Sequence, residues 1–171
     1  MKLYVGTYAK YNNGSLEGKW LDLDDYADAE EFEEACRELH KDEEDPELMF
    51  QDCDCENEWE RKIYCEGRIP TEYWAIRDAL DRSCIDDAVF DAWVGITGEQ
   101  IDEDAVGKCE EQYCGKMSGE EYAERLCEEC GYIPEDMPSF ISCHIDWAGV
   151  WRDLTYDGYA EADGYIFDTN R

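Results

Sequence analysis

Apolar residues recur along the chain at two spacings, and the switches between those spacings predict its elements. Lys2 to Tyr8 is strand-like, Asn12, Asn13 and Gly14 signal a turn, and Gly18 to Leu23 is strand-like again, which predicts a hairpin with a long loop. Asp28 is placed to cap a helix, with Glu31 three residues on, and Phe32, Ala35, Cys36 and Leu39 then repeat at helical spacing. That stripe is expected to pack on the sheet, leaving Glu30, Glu33, Glu34 and Glu38 mostly in water. Leu48 and Phe50 alternate with polar neighbours and predict a third strand.

Helical spacing dominates the middle, through Trp59, Ile63 and Tyr64, then Tyr73, Trp74, Ile76, Arg77 and Leu80, then Ala88, Val89 and Trp93. Farther on, Ser118 with Glu121 forms a capping box, Tyr122, Leu126 and Cys130 share a face, and Gly131 is a helix stop. Asp146 is placed to cap a helix through Trp147, Val150, Trp151 and Leu154. Tyr156 to Glu161 and Tyr165 to Phe167 flank Asp163-Gly164, a pair that tolerates the positive φ of a tight hairpin. The pattern predicts an α+β protein of three small domains: 1–56 mixed α and β, 57–105 helical, and 106–171 mixed again, with short antiparallel sheets at both ends.

Composition changes the picture through charge. Forty-six Asp and Glu face 15 Lys and Arg, a net charge of -31. Residues 1–16 hold no acid, 17–58 hold 19 and 59–171 hold 27, so the acid is spread along the chain and does not form one tail. A phosphate backbone repels such a surface, which excludes ordinary nucleic-acid binding. The 23 aromatic residues argue against a disordered acidic chain. Apolar runs fall short of the ~20 residues of a membrane helix, and Met1 to Tyr11 lacks a hydrophobic signal core, so a cytoplasmic, non-membrane protein is expected. The ten cysteines are then expected to be reduced thiols, mostly small core residues.

Catalytic patterns are weak. His40 and His144 fit neither a metalloprotease nor a triad motif. Gly14, Gly18 and Lys19 miss phosphate-loop spacing, and Trp20 stands where Ser or Thr must hold magnesium. Asp52, Asp54 and Glu56 suggest a calcium loop, but Asn57 replaces its glycine and Ile63 its bidentate glutamate. Cys109, Cys114, Cys127 and Cys130 approach but miss zinc spacing, and the last two lie in a predicted helix, where their separation equally suits two small packing residues. No cofactor is expected.

What remains is the charge as a functional surface. If Asp52, Asp54, Glu56 and Glu58 continue in strand form, they share one face at ~6.7 Å intervals. A DNA strand places a phosphate every ~3.4 Å. Two copies carry 62 charges, twice the net charge of one chain. That equals roughly 105 Å of duplex at one charge per ~1.7 Å. Two compact spheres of this size span only about 80 Å, so DNA-like density favours an elongated row of small units. A solvated, salt-adapted surface is the plainer account of the same composition.

Certain runs resemble the ArdA antirestriction proteins: Leu3-Tyr4-Val5-Gly6-Thr7-Tyr8, Lys10-Tyr11-Asn12 with Gly14, Leu16 and Gly18-Lys19-Trp20-Leu21, Tyr113-Cys114-Gly115, and Ile133-Pro134 through Ile145-Asp146-Trp147 to Arg152-Asp153-Leu154. The likeness runs almost end to end, with weaker landmarks in the middle third, and the cysteine content departs from the family. It implies a non-enzymatic DNA mimic from a mobile genetic element in a bacterial host. Such a protein has three small domains in a curved row, pairs into a homodimer through its C-terminal domain, and blocks type I restriction-modification enzymes by filling the DNA groove of their methyltransferase core.

Trp147, Val150 and Trp151 are candidates for the dimer contact, and packing inside the domain accounts for them equally well. The acids expected to meet the target are Asp24, Asp25, Glu43, Glu44, Asp52, Asp54, Glu56 and Glu58, with Asp81, Asp86, Asp87, Asp102, Glu103 and Asp104 in the middle. Two rival functions stay open: an acidic module for another basic DNA-binding protein, and a Cys-ligated zinc or thiol protein.

Overall fold

A computed structural model describes residues 1–98, 100–134 and 136–171. Among them are two three-stranded antiparallel sheets and nine α-helices, and the chain divides into two compact units. Unit 1 comprises Met1–Asp87 and Glu99–Val106, and unit 2 comprises Ala88–Gly98 and Gly107–Arg171. No helix among the described residues is long and apolar enough to cross a membrane.

Unit 1 opens with β1 (Lys2–Thr7), which pairs with β2 (Lys19–Asp22) on one side and β3 (Leu48–Asp54) on the other. The first strand stops one residue before the predicted Tyr8. The Thr7 hydroxyl accepts a bond from the Lys10 N–H and caps α1 (Tyr8–Asn12), a helix too short and too exposed to show in the hydrophobic pattern. β2 ends at Asp22 instead of Leu23, because the Asp22 carboxylate accepts from the Asp24 N–H and starts a 3-10 turn over Leu23–Asp25. The simple alternation of Leu48 and Phe50 is interrupted too. Val5 faces Phe50 and Tyr4 faces Asp52, which leaves Gln51 as an extra residue in a bulge and buries Met49 and Phe50 side by side.

The strand also does not carry all four of its predicted acids. Asp52 and Asp54 lie in β3, but Asn57 caps α3 (Glu58–Ile63), so Glu56 sits in the connection and Glu58 begins a helix. The cause is Glu60, whose carboxylate accepts the backbone N–H groups of both Glu56 and Asn57 and turns the chain. Tyr64 falls just past that helix, with its hydroxyl donating to the Phe50 carbonyl at 2.6 Å.

α2 (Ala29–Leu39) forms as its pattern predicts. Asp28 accepts the Glu31 N–H at 2.9 Å, and Glu31 accepts the Ala27 N–H in return. Its buried face, Phe32 and Cys36, meets the sheet where Phe32 stacks on Phe50. α4 (Glu72–Arg82) adds Tyr73, Ile76 and Leu80 to the core, with the Trp74 N–H bonded to the Tyr26 carbonyl.

Trp59 anchors α3. It is fully buried, stacks on Tyr73 at 5.5 Å, lies under the Arg77 guanidinium, and donates its indole N–H to Asp87 at 3.3 Å. Trp59→Ala removes that packing and one Asp87 donor together. It is expected to destabilise unit 1 by about 3–5 kcal/mol, measured as a shift in urea midpoint.

Unit 2 takes most of α5 (Asp87–Ile96) and α6 (Ala105–Gln112). Trp93 donates to the Gln112 side chain at 2.7 Å and stacks beside Phe90. The sheet order is β4 (Tyr113–Lys116), β6 (Tyr165–Asp168), β5 (Tyr159–Ala162), with the central strand buried along its whole length. The Ser118–Glu121 capping box opens α7 (Gly119–Glu129). Its shared face is shorter than predicted, since Tyr122 is buried but Cys130 lies beyond the last turn, exposed.

A short α8 (Ser139–Ser142) follows. α9 (Trp147–Tyr156), capped by Asp146, runs through the start of the predicted strand, so that strand begins at Tyr159. The hairpin turn is as expected, with Asp163 and Gly164 at φ 51° and 80°.

The cysteines are the largest correction. Cys36, Cys55 and Cys109 are buried, Cys53, Cys114 and Cys127 half-buried, and Cys65, Cys84, Cys130 and Cys143 exposed. The four exposed thiols each fall just past the end of a helix, off the stripes that face the cores, where small size alone does not bury them.

Candidate partner-binding acidic surface

All fourteen candidate acids fall in unit 1. That unit holds 30 acids against 10 bases, and unit 2 holds 16 against 5. Eleven of the fourteen are exposed: Asp24, Asp25, Glu44, Asp52, Asp54, Glu56, Glu58, Asp81, Asp86, Glu103 and Asp104. They arise from separate elements: the turn after β2, the loop after α2, the far half of β3 and the connection after it, the start of α3, the end of α4, the residue before α5, and the turn before α6.

The other three are half-buried and serve the fold. Asp87 takes the Arg77 guanidinium at 2.7 Å and the Trp59 N–H at 3.3 Å. Glu43 accepts the Thr7 hydroxyl at 2.7 Å, and Asp102 accepts the Asp104 N–H at 3.1 Å. Asp24, though exposed, also accepts the Tyr73 hydroxyl at 2.7 Å. Burial pushes the Tyr73 phenol far up, and the Asp24 charge adds to the effect.

Several bases of the unit are held by acids outside the exposed set. Among the described residues Lys2 pairs with Asp22, Lys10 with Asp42, Arg37 with Glu33 and Asp45, Lys41 with Glu38, Arg68 with Glu72 and Arg77 with Asp87. Of the candidates, Asp87 is the one held by Arg77, Glu43 lies 3.8 Å from Lys10 and Glu58 4.0 Å from Arg61. Lys2, Arg37, Lys41 and Arg68 are thus spent on acids outside the candidate set. Carboxylates so placed accept hydrogen bonds and attract Lys and Arg, which is the chemistry of binding a basic surface.

Other possible chemistry is thin. A cleft of about 980 Å³ is lined by Glu30, Glu33, Arg37, Asp45, Glu47, Arg68 and the apolar Pro46, Leu48, Phe50 and Ile69, and both its arginines are already paired with acids. Among the described residues no three His, Cys, Asp or Glu side chains are grouped so as to hold a metal ion. Cys109 is buried in α6, Cys114 accepts the Tyr122 hydroxyl at 3.6 Å, and Cys127 and Cys130 lie at the far end of α7.

In unit 2, Trp147, Val150 and Trp151 are half-buried on α9, a helix with no fully buried residue. Trp151 packs on α7, edge-on to Tyr122 at 6.2 Å and so close to Gly119 that a Cβ there would strike the indole. Tyr156, predicted to start a strand, is exposed at the end of α9, and Tyr132, Phe140 and Ile141 are large exposed apolar residues of the same unit that the pattern did not single out. Their signal was their failure to fit any periodic face.

The model of the antirestriction protein (ArdA) family matches residues 3–167. A search of curated proteins returns no match.

Proposed function

Because the chain belongs to the antirestriction protein (ArdA) family, a family of inhibitors that act on restriction-modification enzymes and not of enzymes, we propose that it acts as a mimic of B-form DNA. In this reading the exposed acids of unit 1 stand where phosphates lie on a duplex. The basic DNA groove of a type I restriction-modification enzyme, in its methyltransferase core, engages them in place of its substrate. The carrying observation is the exposure of eleven acids from separate elements of one unit that holds three acids for every base.

A second copy joined through the α9 side of unit 2, by way of Trp147, Val150 and Trp151, the last of them partly used inside the unit, doubles the acidic surface. An arrangement of 1–56, 57–105 and 106–171 in a row belongs to the same proposal.

The test is competition. A type I methyltransferase bound to labelled duplex is titrated with the protein at about 50 and 200 mM salt. Displacement near one dimer per enzyme is expected, weakening steeply at the higher salt as screening shortens the reach of the charges. No displacement by folded, paired protein at either salt overturns the mimicry and points to another basic partner.

A further inference from the structure

The loop 41–47, between α2 and β3, carries Asp42, Glu43, Glu44, Asp45 and Glu47, and like charges this close repel one another. It is nevertheless tied at several points. Lys10 of α1, its side chain only 15% exposed, donates from Nζ to Asp42 at 3.0 Å and lies 3.8 Å from Glu43. Its third contact is the Nδ1 of His40, at 3.1 Å.

An ammonium is only a donor, so Nδ1 accepts. The other ring nitrogen, Nε2, then carries the hydrogen and donates to the Val5 carbonyl at 3.3 Å. Thr7 donates its hydroxyl to Glu43, and the Tyr8 N–H bonds the Glu47 carbonyl at 3.0 Å. On the far side Arg37 takes Asp45 at 3.3 Å.

We propose that Lys10, seated on buried His40, is a positioning residue that holds loop 41–47 in the shape its acids present to the basic partner. The proposal rests on the mimicry reading above. Its physical content is a trade: one positive charge is kept inside the most acidic unit because it fixes geometry worth more to binding than the charge it cancels. The hydrogen bond from Lys10 already holds the Asp42 carboxyl below the usual carboxylate range.

Counting charge and holding shape predict opposite results for Lys10→Met. The variant is one unit more negative, so a surface acting through charge alone binds its target as well or better. A positioning role predicts weaker binding, because Asp42 and Glu43 lose their shared counter-charge and the His40 Nδ1 is left buried without its donor.

The experiment compares the parent, Lys10→Met and Lys10→Arg, each checked for folding by circular dichroism. Two readouts are taken: hydrogen exchange of the amides of 41–47, and displacement of duplex from a type I methyltransferase. For Lys10→Met, exchange roughly tenfold faster and displacement roughly tenfold weaker are expected, with Lys10→Arg recovering part of both. Exchange at the parental rate overturns the clamp, as does loosened exchange with displacement equal to or better than the parent's. A parent that displaces no duplex overturns the mimicry, while the exchange comparison still decides the clamp.

Discussion

Reversing Asp25, Glu44, Asp54, Glu56, Asp81 and Glu103 to lysine is expected to abolish displacement of duplex from the target enzyme. All six are exposed. A single exposed ion pair is worth only ~0.2–1 kcal/mol, so one substitution does little. A reversal both removes an attraction and adds a repulsion, so six together are expected to cost about 4–6 kcal/mol, roughly a thousandfold or more in affinity.

The control is a second set of six exposed acids from unit 2, Glu111, Glu124, Glu128, Asp136, Asp153 and Asp157, reversed in the same way. Both variants change the net charge by the same amount. Loss confined to the first set ties inhibition to the unit 1 surface, and equal loss from both sets shows that only total charge counts. Folding of each is checked by circular dichroism, and both are expected to keep or gain stability as self-repulsion falls.

The second large effect is alkaline. The thiols of Cys36, Cys55 and Cys109 are pushed up from 9.0 to about 12, by burial first and, at Cys55, also by its hydrogen bond with Cys53. Below pH 9 the thiols are protonated in folded and unfolded chains alike, and the full stability is present. Between pH 9 and 12 the unfolded chain releases these protons while the folded chain keeps them, so stability falls as pH rises.

By pH 10 the loss is expected to be about 2 kcal/mol in unit 1, where Cys55, at 9% exposure, adds less than the fully buried Cys36, and about 1 kcal/mol in unit 2. Urea midpoints at pH 8 and pH 10 in reductant measure it. A variant with Cys36, Cys55 and Cys109 all replaced by alanine should show a flatter profile, and an unchanged slope in that variant assigns the effect elsewhere.

Local signals carried the parts of the fold that local chemistry decides. Asp28 with Glu31 marked the start of α2, Ser118 with Glu121 that of α7, and Asp163-Gly164 the last hairpin, because each is a short-range hydrogen-bond or φ requirement. The bulge at Gln51 was not legible, since it depends on how β3 meets β1 more than forty residues away. α1 and α8 are too short and too exposed to show a stripe.

The site divides in the same way. That most of the candidate acids lie exposed follows from their number. That Asp87, Glu43 and Asp24 are engaged by Arg77, Thr7 and Tyr73 does not, because those partners lie 10, 36 and 49 residues away.

The division of the chain into units has a consequence for its synthesis. Unit 1 closes only when 99–106 has been added to 1–87, and that late segment supplies the buried Ile101, Ala105 and Val106. In between, the ribosome makes 88–98, whose Phe90, Trp93 and Val94 belong to the core of a unit that begins in earnest at Gly107. Arrest at about residue 100 therefore leaves neither core complete. Chains stalled there are expected to expose apolar surface that the finished protein buries.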